Sequence, residues 1–84
     1  MKHAGPGDLE RLEGLLAALS AIPGLNEKKP GIFYRKSRAF LHFHQDPKGL
    51  FADVRAVEGH DFDRFDVSDQ AAWPGFATEV ARRL

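Results

Sequence analysis

Cysteine is absent from the 84-residue chain. No disulfide can tie the fold together, no thiolate can hold a metal, and there is no Cys nucleophile. Long apolar runs are missing as well, none approaching the roughly 18 residues that a membrane span needs. The N-terminal Met-Lys-His-Ala-Gly-Pro-Gly has no apolar stretch behind it, so no secretory signal is expected and the default compartment is the cytoplasm. Net charge is lacking too, since 12 Lys and Arg balance 12 Asp and Glu. A neutral chain exerts no long-range pull on a polyanion or an acidic membrane. Neither a Gly-rich phosphate loop nor a serine in a nucleophile-elbow context occurs.

What is present suits a soluble globular domain, with 43% hydrophobic and 29% charged residues. The length allows one domain, burying about 60–65% of the surface its unfolded chain would expose. So small a body offers little depth for a water-excluding pocket. Catalysis is therefore disfavoured, no cofactor is expected, and a non-enzymatic binding module of unknown ligand is the leading reading.

Residues 1–7, with Gly5-Pro6-Gly7, read as a flexible leader, and residues 8–84 as the domain. Asp8 is a candidate N-cap, and Leu9, Leu12, Leu15, Leu16, Leu19 and Ile22 form a helical stripe that predicts a helix over 8–22. Gly14 weakens it by about 1 kcal/mol, and Pro23-Gly24 ends it. Residues 26–31 read as a polar connection. Alternating aromatic and branched residues predict strands at 32–35, 38–44 and 50–55, with a turn at Asp46-Pro47-Lys48-Gly49 and a weaker one at Lys36-Ser37. A further edge strand fits 62–67, then a cap at Ser68 or Asp69 and a helix with Pro74 in its first turn running to about 83. The order is α-β-β-β-(β)-α: an α+β fold in which an N-terminal helix, a three- or four-stranded antiparallel meander and a C-terminal helix follow one another.

Register follows from keeping one face apolar. With Gln45 facing Leu50, Leu41 lies opposite Val54, Phe43 opposite Ala52 and His42 opposite Asp53. A two-residue turn at Lys36-Ser37 sets Phe33 opposite Phe40 and Ile32 opposite Leu41. The core face is then Ile32, Tyr34, Ala39, Leu41, Phe43, Leu50, Ala52 and Val54. The second face carries Phe33, Arg35, Arg38, Phe40, His42, His44, Phe51, Asp53 and Arg55, with its phenylalanines expected under the C-terminal helix or a second subunit.

Three constellations carry chemistry. His42 and His44 share a strand face, so both imidazoles can reach one metal, with Asp53 as third ligand and His60 and Asp61 as further candidates. The same His42 and Asp53 form a His–carboxylate pair of the kind used in acid–base work; a hydrogen-bonded surface pair needs the same residues. Charge is also unevenly spread. Lys28, Lys29, Arg35, Lys36 and Arg38 make a basic hairpin with Phe33 and Phe40, the mixture that single-stranded nucleic acid requires. Asp53, Glu58, Asp61, Asp63, Asp66 and Asp69 make an acidic stretch able to neutralise that hairpin within or between subunits. Arg35, Arg38, His42, His44, Asp53 and Arg55 are the candidate ligand-binding set, and the same face is a candidate surface for a homodimer or a protein partner.

Residues 12–55 contain Ile22-Pro23-Gly24-Leu25, Pro30-Gly31-Ile32-Phe33-Tyr34-Arg35 and Arg38-Ala39-Phe40-Leu41. This order resembles the small YjbR/MmcQ-like and YdhG-like proteins, in which a Pro-Gly segment precedes an aromatic hairpin. Lys36-Ser37 stands where those proteins have a Gly-containing turn. The resemblance implies an α+β double-wing fold, for which DNA binding has been suggested, and it carries no catalytic residue over to this chain.

Overall fold

The computed structural model describes residues 2–58 and 61–84. Its elements are β1 (Lys2–His3), α1 (Pro6–Arg11), α2 (Glu13–Ser20), β2 (Asn26–Lys29), β3 (Ile32–Arg35), β4 (Arg38–Asp46), β5 (Gly49–Arg55), β6 (Phe62–Asp66), a 3-10 turn (Gln70–Ala72) and α3 (Trp73–Arg82). The architecture is α+β, with the antiparallel sheet in the order β2-β3-β4-β5-β6.

The leader does not stand apart from the fold. Lys2 and His3 pair with Gln45 and His44, taking over as neighbours of β4 where the shorter β3 ends. A two-residue strand leaves no periodicity in a sequence, so only the tertiary pairing reveals it. The helix begins at Pro6, and Asp8 accepts a hydrogen bond from the Gly5 N–H at 3.0 Å. The single helix expected over 8–22 is two, broken at Leu12 (φ −96°, ψ 8°). Gly14 lets α2 approach α3 closely, since a Cβ there would sit 3.3 Å from the Trp73 ring. Within the polar connection expected over 26–31, Asn26–Lys29 is a strand, β2, whose side chains are all exposed, so no apolar alternation marked it.

The β4–β5 hairpin has the register that the apolar pattern dictates: Leu41 opposite Val54, His42 opposite Asp53, Phe43 opposite Ala52 and Gln45 opposite Leu50. Gly49 closes its turn at φ +144°, and Lys48 N–H donates to Asp46 Oδ1 at 2.9 Å. The strand at Phe62–Asp66 and the helix at Trp73–Arg82 lie where the sequence predicts them, with Asp69 accepting from Ala71 N–H ahead of α3.

The β3–β4 hairpin departs from expectation. Arg35 pairs with Arg38 and Tyr34 with Ala39, but Phe33 then faces Leu41 and Ile32 faces His42. Phe40 is an extra residue, a bulge that shifts the phase of β3 against β4. Phe33 (0% exposed) and Phe40 (4%) therefore join the core, while Ile32 and Tyr34 turn to the opposite face.

One apolar cluster unites Leu12 between the first two helices, Leu15 and Leu19 of α2, Phe76 and Val80 of α3, and Phe33, Leu41, Phe43, Ala52 and Val54 of the sheet. Each large side chain buried in it contributes about 1.5–3 kcal/mol. Helices α2 and α3 thus pack on the same side of the sheet. The expectation that α3 covers the second face is corrected: helix-facing residues alternate with His42, His44 and Asp53, which point to the side that no described helix covers. Among the described residues, no helix is long and apolar enough to cross a membrane.

Candidate metal centre

The open face is organised around the central strand pair. His42 lies directly opposite Asp53. His44, two residues along the same face, reaches diagonally to that carboxylate, with Nε2 3.0 Å from Oδ2. The next strand outward brings Arg64 opposite Asp53. Its Nε donates to Oδ1 at 2.8 Å and its Nη2 to Oδ2 at 2.9 Å, a two-pronged clamp on the carboxylate. From the other side β1 sets His3 opposite His44, with ring centroids 5.2 Å apart, and the His3 ring stacks at 5.9 Å on His42. Phe62 closes over His42 at 5.0 Å.

This packing leaves His44 and Asp53 each only 8% exposed, unusual for polar residues on a face without helices. Arg64 holds the Asp53 carboxyl below the usual carboxylate range by hydrogen bonding, against an opposing effect of burial and with help from His44. Burial, and then the neighbouring His44, push His42 below the ordinary histidine value. Near neutral pH the site thus presents an ionised carboxylate beside a neutral His42 imidazole.

The decisive feature is unspent hydrogen-bonding capacity. Among the described residues, His42 Nδ1 and both ring nitrogens of His44 are buried without a hydrogen-bond partner. His44 Nε2 does have a polar neighbour, Asp53 Oδ2 at 3.0 Å, in a contact that is an ion pair when the imidazole is protonated. A buried polar atom left unpaired costs about 1–3 kcal/mol. Here several lie in one cluster, and one donor atom each from His42, His44 and Asp53 falls within 4.8 Å of the others. Zinc bonds of about 2.0–2.2 Å place tetrahedral ligand atoms roughly 3.4 Å apart, so small side-chain rotations suffice to converge on one ion.

The remaining candidates are distributed elsewhere. Arg55 donates from Nε to Ala39 O at 2.9 Å and lies over the Phe62 ring at 4.9 Å. Arg35 and Arg38 face each other at the β3–β4 turn, away from the histidines, with Lys36 between them at φ +57°. Lys28 and Lys29 sit on the edge strand β2, where Lys28 Nζ lies 5.7 Å from the Tyr34 ring centroid. The basic set expected to act as one surface is thus divided between two places, and Phe33 and Phe40 are inside. Phe51 is half-buried on the open face beside His44. Asp61 is exposed, and His60 lies outside the described residues. Among the described residues no ion pair links the basic hairpin to the acidic stretch, whose carboxylates pair instead with Arg64 and Arg83.

Sequence reasoning missed His3, Phe62 and Arg64. The alternation of Phe65 with Arg64 would have placed Arg64 beside Asp53 once β6 was paired with β5. Nothing in the sequence signalled His3. No protein-family model, curated protein or solved structure matches the chain.

Proposed function

We propose that this protein is a divalent-metal-binding module whose working surface is the open sheet face, with His42, His44 and Asp53 as the ligands of a zinc-class ion. The observation that carries this reading is the group of three ligand-bearing residues on two central strands, in which Nδ1 of both His42 and His44 is buried with no hydrogen-bond partner among the described residues. Two imidazoles and a carboxylate suit zinc and its neighbours in the first transition row. Arg64 supports the reading as an outer partner that keeps Asp53 ionised and oriented. The ring of His3 stands close enough to take part in a fourth position, or to border one left to water.

Nucleic-acid binding through Lys28, Lys29, Arg35, Lys36 and Arg38 has less support, because its aromatic stacking partners are core residues.

The test is a zinc titration followed by imidazole NMR signals and thermal melting. Binding moves the ring signals of His42 and His44 and stabilises the fold by about 2.7 kcal/mol at a hundredfold excess over Kd. His42→Ala and His44→Ala each abolish both effects. Ring signals and melting temperature that ignore zinc and cobalt(II) alike overturn the proposal.

A further inference from the structure

A second concavity opens at the end of the sheet, of about 430 Å³, walled by Arg35, Lys36, Arg38, Arg55, Arg83 and Phe40 and continued by Ala56 and Val57. Its size is that of a small-molecule site. Its charge is one-sided. Among the described residues, Arg35, Lys36, Arg38 and Arg55 make no ion pair with a carboxylate. In a neutral chain, this concentrates positive charge in one small volume.

The arrangement is locally unfavourable without a counter-ion. Arg35 and Arg38 are direct cross-strand partners, and like charges so placed destabilise a hairpin. Lys36 adds a third cation in the left-handed region at φ +57°, where Gly or Asn is preferred. Arg83 forms a fixed wall. Its side chain is only 9% exposed, Nη1 bonds Asp63 Oδ2 at 2.9 Å and the Arg55 carbonyl at 3.3 Å, and Nε bonds Glu79. Beside these cations lies Val57, 65% exposed and the one large hydrophobic residue left in water among the described residues. Cations and apolar surface in one cleft suit a ligand with an anionic end and an apolar body.

The geometry points to this cleft as a binding site for a small phosphate ester with an apolar or aromatic body, of nucleotide size. The guanidinium groups of Arg35 and Arg38 bind the phosphate oxygens, where planar paired donors match the tetrahedral anion. Val57 and Ala56 meet the body. The site is separate from the histidine cluster and stands whether or not that cluster holds a metal.

The test is an NMR titration of the isotope-labelled chain with AMP, with inorganic phosphate and with a short single-stranded DNA. AMP should shift the amides of residues 35–38 and 55–57 saturably, binding more tightly than inorganic phosphate. Arg35→Gln with Arg38→Gln should weaken AMP at least about tenfold while leaving the melting temperature unchanged or raised, because the like-charge pair is gone. Val57→Ser should weaken AMP but not inorganic phosphate. No shift at these amides overturns the proposal. Equal affinity for AMP and phosphate removes the apolar body, and binding of DNA without AMP replaces the small ligand with a polynucleotide; either result overturns the assignment.

Discussion

His44 Nε2 and Asp53 Oδ2 stand 3.0 Å apart, yet the two residues are not partners in the strand register: His44 is paired with Phe51, and Asp53 with His42. The contact runs diagonally across the central strand pair. The Asp53 carboxylate therefore meets the His44 imidazole on one side and the Arg64 guanidinium on the other, with His42 as its strand partner. Removing its charge alone tests whether the histidines act with it. Asp53→Asn is expected to reduce zinc affinity by more than the roughly 10–100-fold that loss of a supporting residue causes, measured by competition with a chromophoric chelator. Retention of wild-type affinity would show that Asp53 is not a ligand.

The bulge at Phe40 inverts the ranking of neighbouring residues in β3. Phe33→Ala should cost about 3–5 kcal/mol, as expected for a large buried aromatic. Tyr34→Ala, half-buried on the open face, should cost about 1 kcal/mol. Chemical denaturation measures both, and the reverse order would mean that the hairpin runs without the bulge.

Gly49 is held by two constraints at once. Its φ of +144° disfavours any side chain, and a Cβ there would run into Ser68 Oγ. That hydroxyl accepts from Leu50 N–H at 2.8 Å and donates to Leu50 O at 3.3 Å, linking the turn to the segment after β6. Gly49→Ala should destabilise by at least about 1 kcal/mol. Ser68→Ala should lose about 0.5–1.5 kcal/mol for each bond. The double variant should fall short of the sum, because removing the hydroxyl relieves the clash. Full additivity in a double-mutant cycle would contradict this contact.

Acid should act on the C-terminal helix. Hydrogen bonds from Arg82, then Arg83, lower the Glu79 carboxyl from its ordinary 4.5 to about 2. A carboxyl depressed in the folded state favours folding above its unfolded value. That contribution is present above about pH 4.5 and is lost as the pH falls toward 2. Glu79→Gln should therefore melt below wild type at neutral pH, and the gap should narrow across this window. A gap independent of pH, measured by thermal melts at low salt, would show that the carboxylate charge is not what couples Glu79 to stability. High salt should shrink the effect, since the groups are solvent-screened.

Much of the architecture was legible because it rests on local chemistry. The leucines at helical spacing, the Asp46–Gly49 turn and the alternation of Leu41 and Phe43 against Ala52 and Val54 allow one apolar face and one register, and hence set His42 opposite Asp53. The bulge was not legible: Lys36-Ser37 permits a plain two-residue turn, and the phase of β3 is decided by whether Phe33 or Ile32 fills the space under the helices. The same holds for the side on which α3 packs, since its stripe of Trp73, Phe76 and Val80 fits either face of a sheet. By itself the sequence determined that this is a cysteine-free, charge-balanced α+β domain with two histidines and an aspartate on one strand face. Only the tertiary structure decided that no described helix covers this face and that His3 and Arg64 join it. It also gathered the basic turn into a cleft with Arg55 and Arg83. Those outcomes depend on contacts between segments far apart in the chain, which no local pattern encodes.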